Sequence, residues 1–352
     1  MNFKNMVDEL FKREFERETF PGFVLLIGNS QRILFKESFG FKALKPVEEE
    51  NNADTIYDLA SLTKVVATTS AVMKLLELGK LCLYDPVAYY VDEFKEDSKK
   101  DIRIFHLLTH SSGLPPYLNL WRYLKGDELL KEILKVQPIH PLERKIVYSC
   151  LNFIVLMKVV ENVTHQKFDE FLKANIFNPL DMENTLFNPC GNNLEKIAPT
   201  SEREGKILRG KVDDELAYYL GGVSGNAGLF SCADDLYNLC QMYLNYGKYS
   251  SNQIFSKYTI KTFTETIVEL EGTKRALGWT VNQPRSFMGD LFTNKAFGHT
   301  GFTGTSIVID NTLNLCVIIL SNRTHIHRWK TINNMWDFRR RVHNLAVKYF
   351  AQ

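Results

Sequence analysis

The 352-residue sequence predicts a mixed α/β (α+β) fold: one sheet built from both ends of the chain, with a mainly helical lobe inserted between them. Strand-like, turn-punctuated stretches cluster near residues 20–40 and 276–321, while the apolar residues between them recur mostly at helical spacing. No internal repeat, low-complexity tract or linker divides the chain. It therefore reads as a single domain, with sheet portions at about 1–60 and 266–352 and the lobe at about 61–265.

The first eleven residues, Met1 to Phe11, form an amphipathic helical pattern with charges through it, unlike a signal peptide. Gly22–Gly28 and Ile33–Gly40 flank Asn29-Ser30-Gln31, a hairpin with turn residues at its tip. A charged loop carrying Glu48, Glu49 and Glu50 leads to a helix entered at Ser61 and stopped by Gly79. Further helical segments are expected at 104–108, 128–135, 151–161, 168–174 and 233–246. Strands return at 276–281, 296–300, 305–310 and 313–321, the last two joined through Asn311-Thr312. A helix at about 333–349 closes the chain.

Composition excludes some partners. With 45% hydrophobic and 24% charged residues the chain is ordinary for a globular protein, and a net charge of +2 makes no case for nucleic acid or an anionic membrane. The basic run Arg339-Arg340-Arg341 lies in the last helical pattern, where a solvated face is the expected account. No apolar run approaches the roughly 18 residues a membrane span needs. Six cysteines without framework spacing read as reduced thiols, mostly buried, of a cytoplasmic protein.

Chemistry concentrates at Tyr57-Asp58-Leu59-Ala60-Ser61-Leu62-Thr63-Lys64. Ser61 falls in the first turn of a helix, near the unpaired N–H groups and the positive end of the dipole. Lys64, three residues on, shares its face. Burial beside that positive end should disfavour the charged amine, giving a serine with an adjacent base, the arrangement of an activated nucleophile. Tyr148, in Tyr148-Ser149-Cys150, offers a phenol able to relay a proton. In Gly298-His299-Thr300-Gly301-Phe302 the glycines permit close backbone approach, so the Phe302 and Ser61 N–H groups can face one carbonyl oxygen. His106 and His110 have the spacing of a zinc pair without the glutamate that should follow His106, and His325-x-His327 lacks a third ligand; both read as structural.

Taken together, these stretches resemble the serine β-lactamase and penicillin-binding protein superfamily, on its class C and esterase side, over about residues 20–350. Ser61 and Lys64 match its Ser-x-x-Lys box, Tyr148 the tyrosine of its Tyr-x-Asn box, and His299-Thr300-Gly301 its Lys-Thr-Gly box, in the family's order. Ser112-Gly113-Leu114-Pro115 and the glycine-rich stretch 221–230 also look familial. The resemblance implies a sandwich with a central antiparallel sheet, helices on its faces and a lobe carrying Tyr148, the site lying between them. It implies an acyl-enzyme mechanism with Ser61 as nucleophile, Lys64 and Tyr148 handling the proton, and no cofactor or metal.

Two departures shape the expected substrate. Cys150 stands where the family has Asn or Asp, and a thiol is a poor partner for an amide. His299 replaces a lysine, removing a fixed positive charge that would attract a carboxylate. Small carboxylic esters are therefore expected first, β-lactams or D-amino-acid peptides second, and a catalytically silent scaffold is the alternative of another class.

Overall fold

The structure is a computed structural model that describes residues 2–351, except for the side chains of residues 192 and 193. The first helix, α1 (Phe3–Glu16), is N-capped by Asn2 and leads into β1 (Gly22–Gly28), β2 (Ile33–Ala43) and β3 (Glu49–Glu50). A small three-stranded sheet joins β4 (Tyr57–Asp58), β5 (Leu186–Phe187) and β6 (Leu229–Ser231). Between these strands lie α2 (Ser70–Glu77), α3 (Cys150–Thr164) and further helices, Gly126–Leu134 among them, followed by α4 (Ala233–Leu244). The chain ends with β7 (Val268–Leu270), β8 (Thr273–Arg275), β9 (Thr280–Val281), β10 (Phe297–Thr300), β11 (Ser306–Asp310), β12 (Leu315–Ser321) and α5 (Ile332–Phe350).

The large sheet has nine strands in the order β7-β8-β9-β10-β11-β12-β1-β2-β3, every pairing antiparallel. Strand β1 is its seam, pairing on one side with β2 and on the other with β12, where Phe23 faces Ser321. Because side chains alternate along a strand, β1 feeds two cores at once. Phe23, Leu25 and Ile27 pack with Val317 and Ile319 under Val7 of α1 and Phe338 and Val342 of α5. Val24 and Leu26 point the other way with Ile307 and Ile318, beneath Leu236 and Leu239 of α4 and the helical lobe. Both faces being covered explains why β1 is apolar without interruption.

The expected sheet of both termini is present, with local differences. Glu49–Glu50, read as loop, pairs as a short edge strand. Strands β7 and β8 fall where none was expected, because three-residue strands are too short to establish a period. Within 276–281 only Thr280–Val281 is strand, Gly278 having turned the chain at φ +85°. Helix α4 packs directly on β1, β11 and β12, so part of the segment assigned to the lobe is the sheet's own cover. Among the described residues no helix is long and apolar enough to cross a membrane. All six cysteines are free, four of them buried.

Candidate active site

The approach to Ser61 is tightly held. Ala60 takes a left-handed φ of +45°, which a residue with a Cβ adopts only when its surroundings fix it. Here Asp58 fixes it, one carboxylate oxygen accepting the Ala60 N–H at 2.8 Å and the other the Asp213 N–H at 2.7 Å. Burial, then the nearby Asp213 charge, pushes the Asp58 carboxyl up to about 7. Ser61 then sits in a 3₁₀ turn, Ala60–Leu62, followed by a π-helical turn, Lys64–Thr69, before the regular α2. The expected single α-helix is thus locally distorted. The Thr69 hydroxyl donates to the Lys64 carbonyl at 2.8 Å, bonding a group that the widened turn exposes.

Lys64 is fully buried, with its Nζ 3.0 Å from Ser61 Oγ, 2.8 Å from the Asn226 carbonyl oxygen and 3.6 Å from Cys150 Sγ. It lies 5.1 Å from the centre of the Tyr148 ring. The expectation of a lowered amine pKa is corrected here. Burial pushes it down, but Cys150, Tyr148 and Asp214 together outweigh burial and the net direction is upward. Three acceptors for three N–H donors suit an ammonium. Cys150 also departs from expectation. Expected only as one of the buried thiols and a poor partner for an amide, it stands against the lysine.

The third predicted stretch closes on the same point. β10 ends at Thr300, and the Thr303 and Thr305 hydroxyls donate to the Asp58 and Leu59 carbonyls at 2.7 and 3.0 Å, tying it to the chain entering Ser61. A Cβ on Gly301 would overlap the Leu59 carbonyl oxygen and Thr305 Oγ1, so only glycine permits this approach. The Phe302 N–H has no acceptor among the described residues. Ser61, Tyr148, His299, Thr300, Gly301 and Phe302 line one cleft of about 400 Å³. His299 is buried and neutral, burial and then Arg275 and Lys64 holding its pKa well below the usual value. Behind Tyr148, 4.7 Å from its ring, lies His110, whose Nδ1 accepts the Ser149 N–H at 3.0 Å.

Reading the sequence missed the arginines. Arg275, Arg285, Arg323 and Arg339 all line the cleft, and none forms an ion pair among the described residues. Arg275 donates to Thr280 Oγ1 at 2.5 Å and stands 5.6 Å from the Tyr148 ring, its Nε unpartnered. Arg339, expected on a solvated face, is turned inward and donates to the Gly301 and Thr305 carbonyls at 3.2 and 2.8 Å. Only Arg341 of that run is exposed, Arg340 pairing with Asp290 at 3.1 Å. The positive charge missing at His299 is therefore supplied by other elements. Single arginines have no spacing that announces this; Arg275 is marked only by its place before Ala276-Leu277-Gly278-Trp279.

His106, His325 and His327 are engaged within the chain. His106 Nδ1 accepts the Arg103 N–H at 3.0 Å, while its Nε2 lies 3.1 Å from Glu143. His325 Nε2 accepts the Leu44 N–H at 3.0 Å, and His327 meets Glu18 at 3.0 Å.

The beta-lactamase family model matches residues 7–336. The chain belongs to the beta-lactamase family. It is a serine hydrolase of that family. Among relatives of this beta-lactamase-family chain is an N-acetylmuramyl-L-alanine amidase of Bacillus subtilis, 32% identical over 91% of this chain and 80% of that protein. Another is a putative D-alanyl-D-alanine carboxypeptidase of Escherichia coli K12, 35% identical over 87% of this chain and 79% of that protein. A solved class C beta-lactamase superposes with a TM-score of 0.80 at 18% identity, over 99% of this chain and 97% of that one. The expected family and sandwich fold are borne out.

Proposed function

We propose that the chain is an acyl-enzyme hydrolase of amides or esters carrying a carboxylate near the scissile bond, a short peptide with a free carboxyl end being the fitting type. The observation that carries this reading is Arg275, a guanidinium in the same cleft as Ser61 with no carboxylate partner among the described residues. Ser61 Oγ attacks the carbonyl carbon while the Lys64–Tyr148 pair, in the form that has first lost a proton, takes the serine proton. The Ser61 and Phe302 N–H groups hold the oxyanion, each such donor being worth about 3 kcal/mol. The pair then protonates the leaving atom, and water releases the acyl group.

The relatives named as amidase and carboxypeptidase support an amide substrate. A simple neutral ester is the second reading, favoured by Cys150, whose thiol is a poor partner for a substrate amide. A silent scaffold is disfavoured by the contact between Ser61 and Lys64.

A fluorophosphonate should label the protein at Ser61, and Ser61→Ala should abolish labelling. Peptide or ester substrates with a free carboxylate should turn over faster than their methyl esters. Faster turnover of the neutral forms would favour the ester reading, and absence of both labelling and turnover would favour the scaffold.

A further inference from the structure

The two ring nitrogens of His299 are not equivalent. Nδ1 lies 2.9 Å from the Thr300 carbonyl oxygen, which only accepts, so Nδ1 carries the proton. In the neutral ring Nε2 then presents a bare lone pair. That atom is buried in the cleft wall and has no hydrogen-bond partner among the described residues. His110, behind Tyr148, is the opposite tautomer, since its Nδ1 accepts a backbone N–H and its Nε2 must carry the proton. The His299 ring centre lies 5.9 Å from that of Tyr148, and both residues line the same cleft, so the bare acceptor and the phenol are neighbours in its wall.

Tyr148 belongs to the pair that delivers a proton to the leaving atom, so the His299 lone pair adjoins the place that atom occupies. A secondary amide nitrogen brings an N–H to that acceptor. An ester oxygen brings none, and neither does the fully substituted nitrogen of a β-lactam. A buried acceptor left unpaired is penalised, which turns one lone pair into a basis for discrimination.

We propose that His299 Nε2 accepts a hydrogen bond from the leaving-group N–H and so selects secondary amides over matched esters and β-lactams. This rests on Ser61 being the nucleophile. In the step, the bond from Ser61 Oγ to the acyl carbon forms and the carbon–nitrogen bond breaks. The serine proton passes through the Lys64–Tyr148 pair, which has first lost a proton, to the nitrogen. The original N–H proton stays on that nitrogen, held by His299, and the amine departs with both. The same hydrogen bond turns the nitrogen lone pair toward the Tyr148 hydroxyl.

The test uses a peptide and the depsipeptide that differs from it only by oxygen in place of the scissile N–H, with fluorophosphonate labelling of Ser61 run in parallel. The ratio of kcat/KM, peptide over depsipeptide, should fall about tenfold in His299→Phe. It should recover in His299→Gln, whose carbonyl oxygen can accept. An unchanged ratio in a His299→Phe protein that still labels would overturn the proposal, as would wild-type enzyme that labels and cleaves the depsipeptide but not the peptide. Wild type that fails to label overturns the Ser61 reading itself, and this proposal with it.

Discussion

Gly301→Ala probes the point where the two halves of the site meet. The new Cβ would overlap the Leu59 carbonyl oxygen and Thr305 Oγ1, and would lie 3.3 Å from the Leu59 carbonyl carbon. The oxygen is backbone, and Leu59 is anchored by its N–H bond to the Leu229 carbonyl at 2.9 Å, so no side-chain rotation relieves the contact. Relief requires the end of β10 to retreat from the Ser61 turn by roughly 1 Å, a displacement that typically costs on the order of 10²-fold in rate. Stability should suffer less, by about 1–3 kcal/mol, as for other overpacked positions. The assay pairs the rate of fluorophosphonate labelling and kcat/KM with thermal unfolding. Activity within about twofold of wild type, in a variant of unchanged Tm, would refute the argument that this approach sets the oxyanion site.

Two further outcomes follow from charge. Arg275→Gln should cut the preference for carboxylate-bearing over neutral substrates by on the order of 10- to 100-fold, the worth of a hydrogen bond to a charged group; kcat/KM on a matched acid and methyl ester measures it. Asp58 has its carboxyl raised to about 7, so the folded protein binds its proton more tightly than the unfolded chain does. That contribution to stability is complete below about pH 4 and is lost as pH rises through about 7. Asp58→Asn should flatten this part of the profile, and a difference in Tm between the two proteins that stays constant from pH 4 to 8 would sink the assignment.

How much was legible in the sequence depended on whether a residue's role is local. The run Phe23 to Ile27 declared a strand, and Ser61 with Lys64 three residues on declared a shared helical face. The state of Lys64 was not legible, because its charge is decided by Cys150, Tyr148 and Asp214, which fold onto it from distant parts of the chain. Arg339 looked like one member of a solvated run, although its neighbours point outward and it points in, a difference of helical phase at a boundary that composition cannot resolve. Strands β7 and β8 escaped notice because three residues each are too few to establish a period.

Placing β1 between β2 and β12 also dictates an order of events during synthesis. Phe23 to Ile27 emerge from the ribosome early, yet their second neighbour comes nearly three hundred residues later. Until then a wholly apolar strand has one open edge, and the nascent chain must keep it from pairing with other molecules. Ser61 waits in the same way for Gly301. The polypeptide therefore acquires its chemistry only when its final strands dock, and a translation product stopped before residue 297 has neither a finished sheet nor a working cleft.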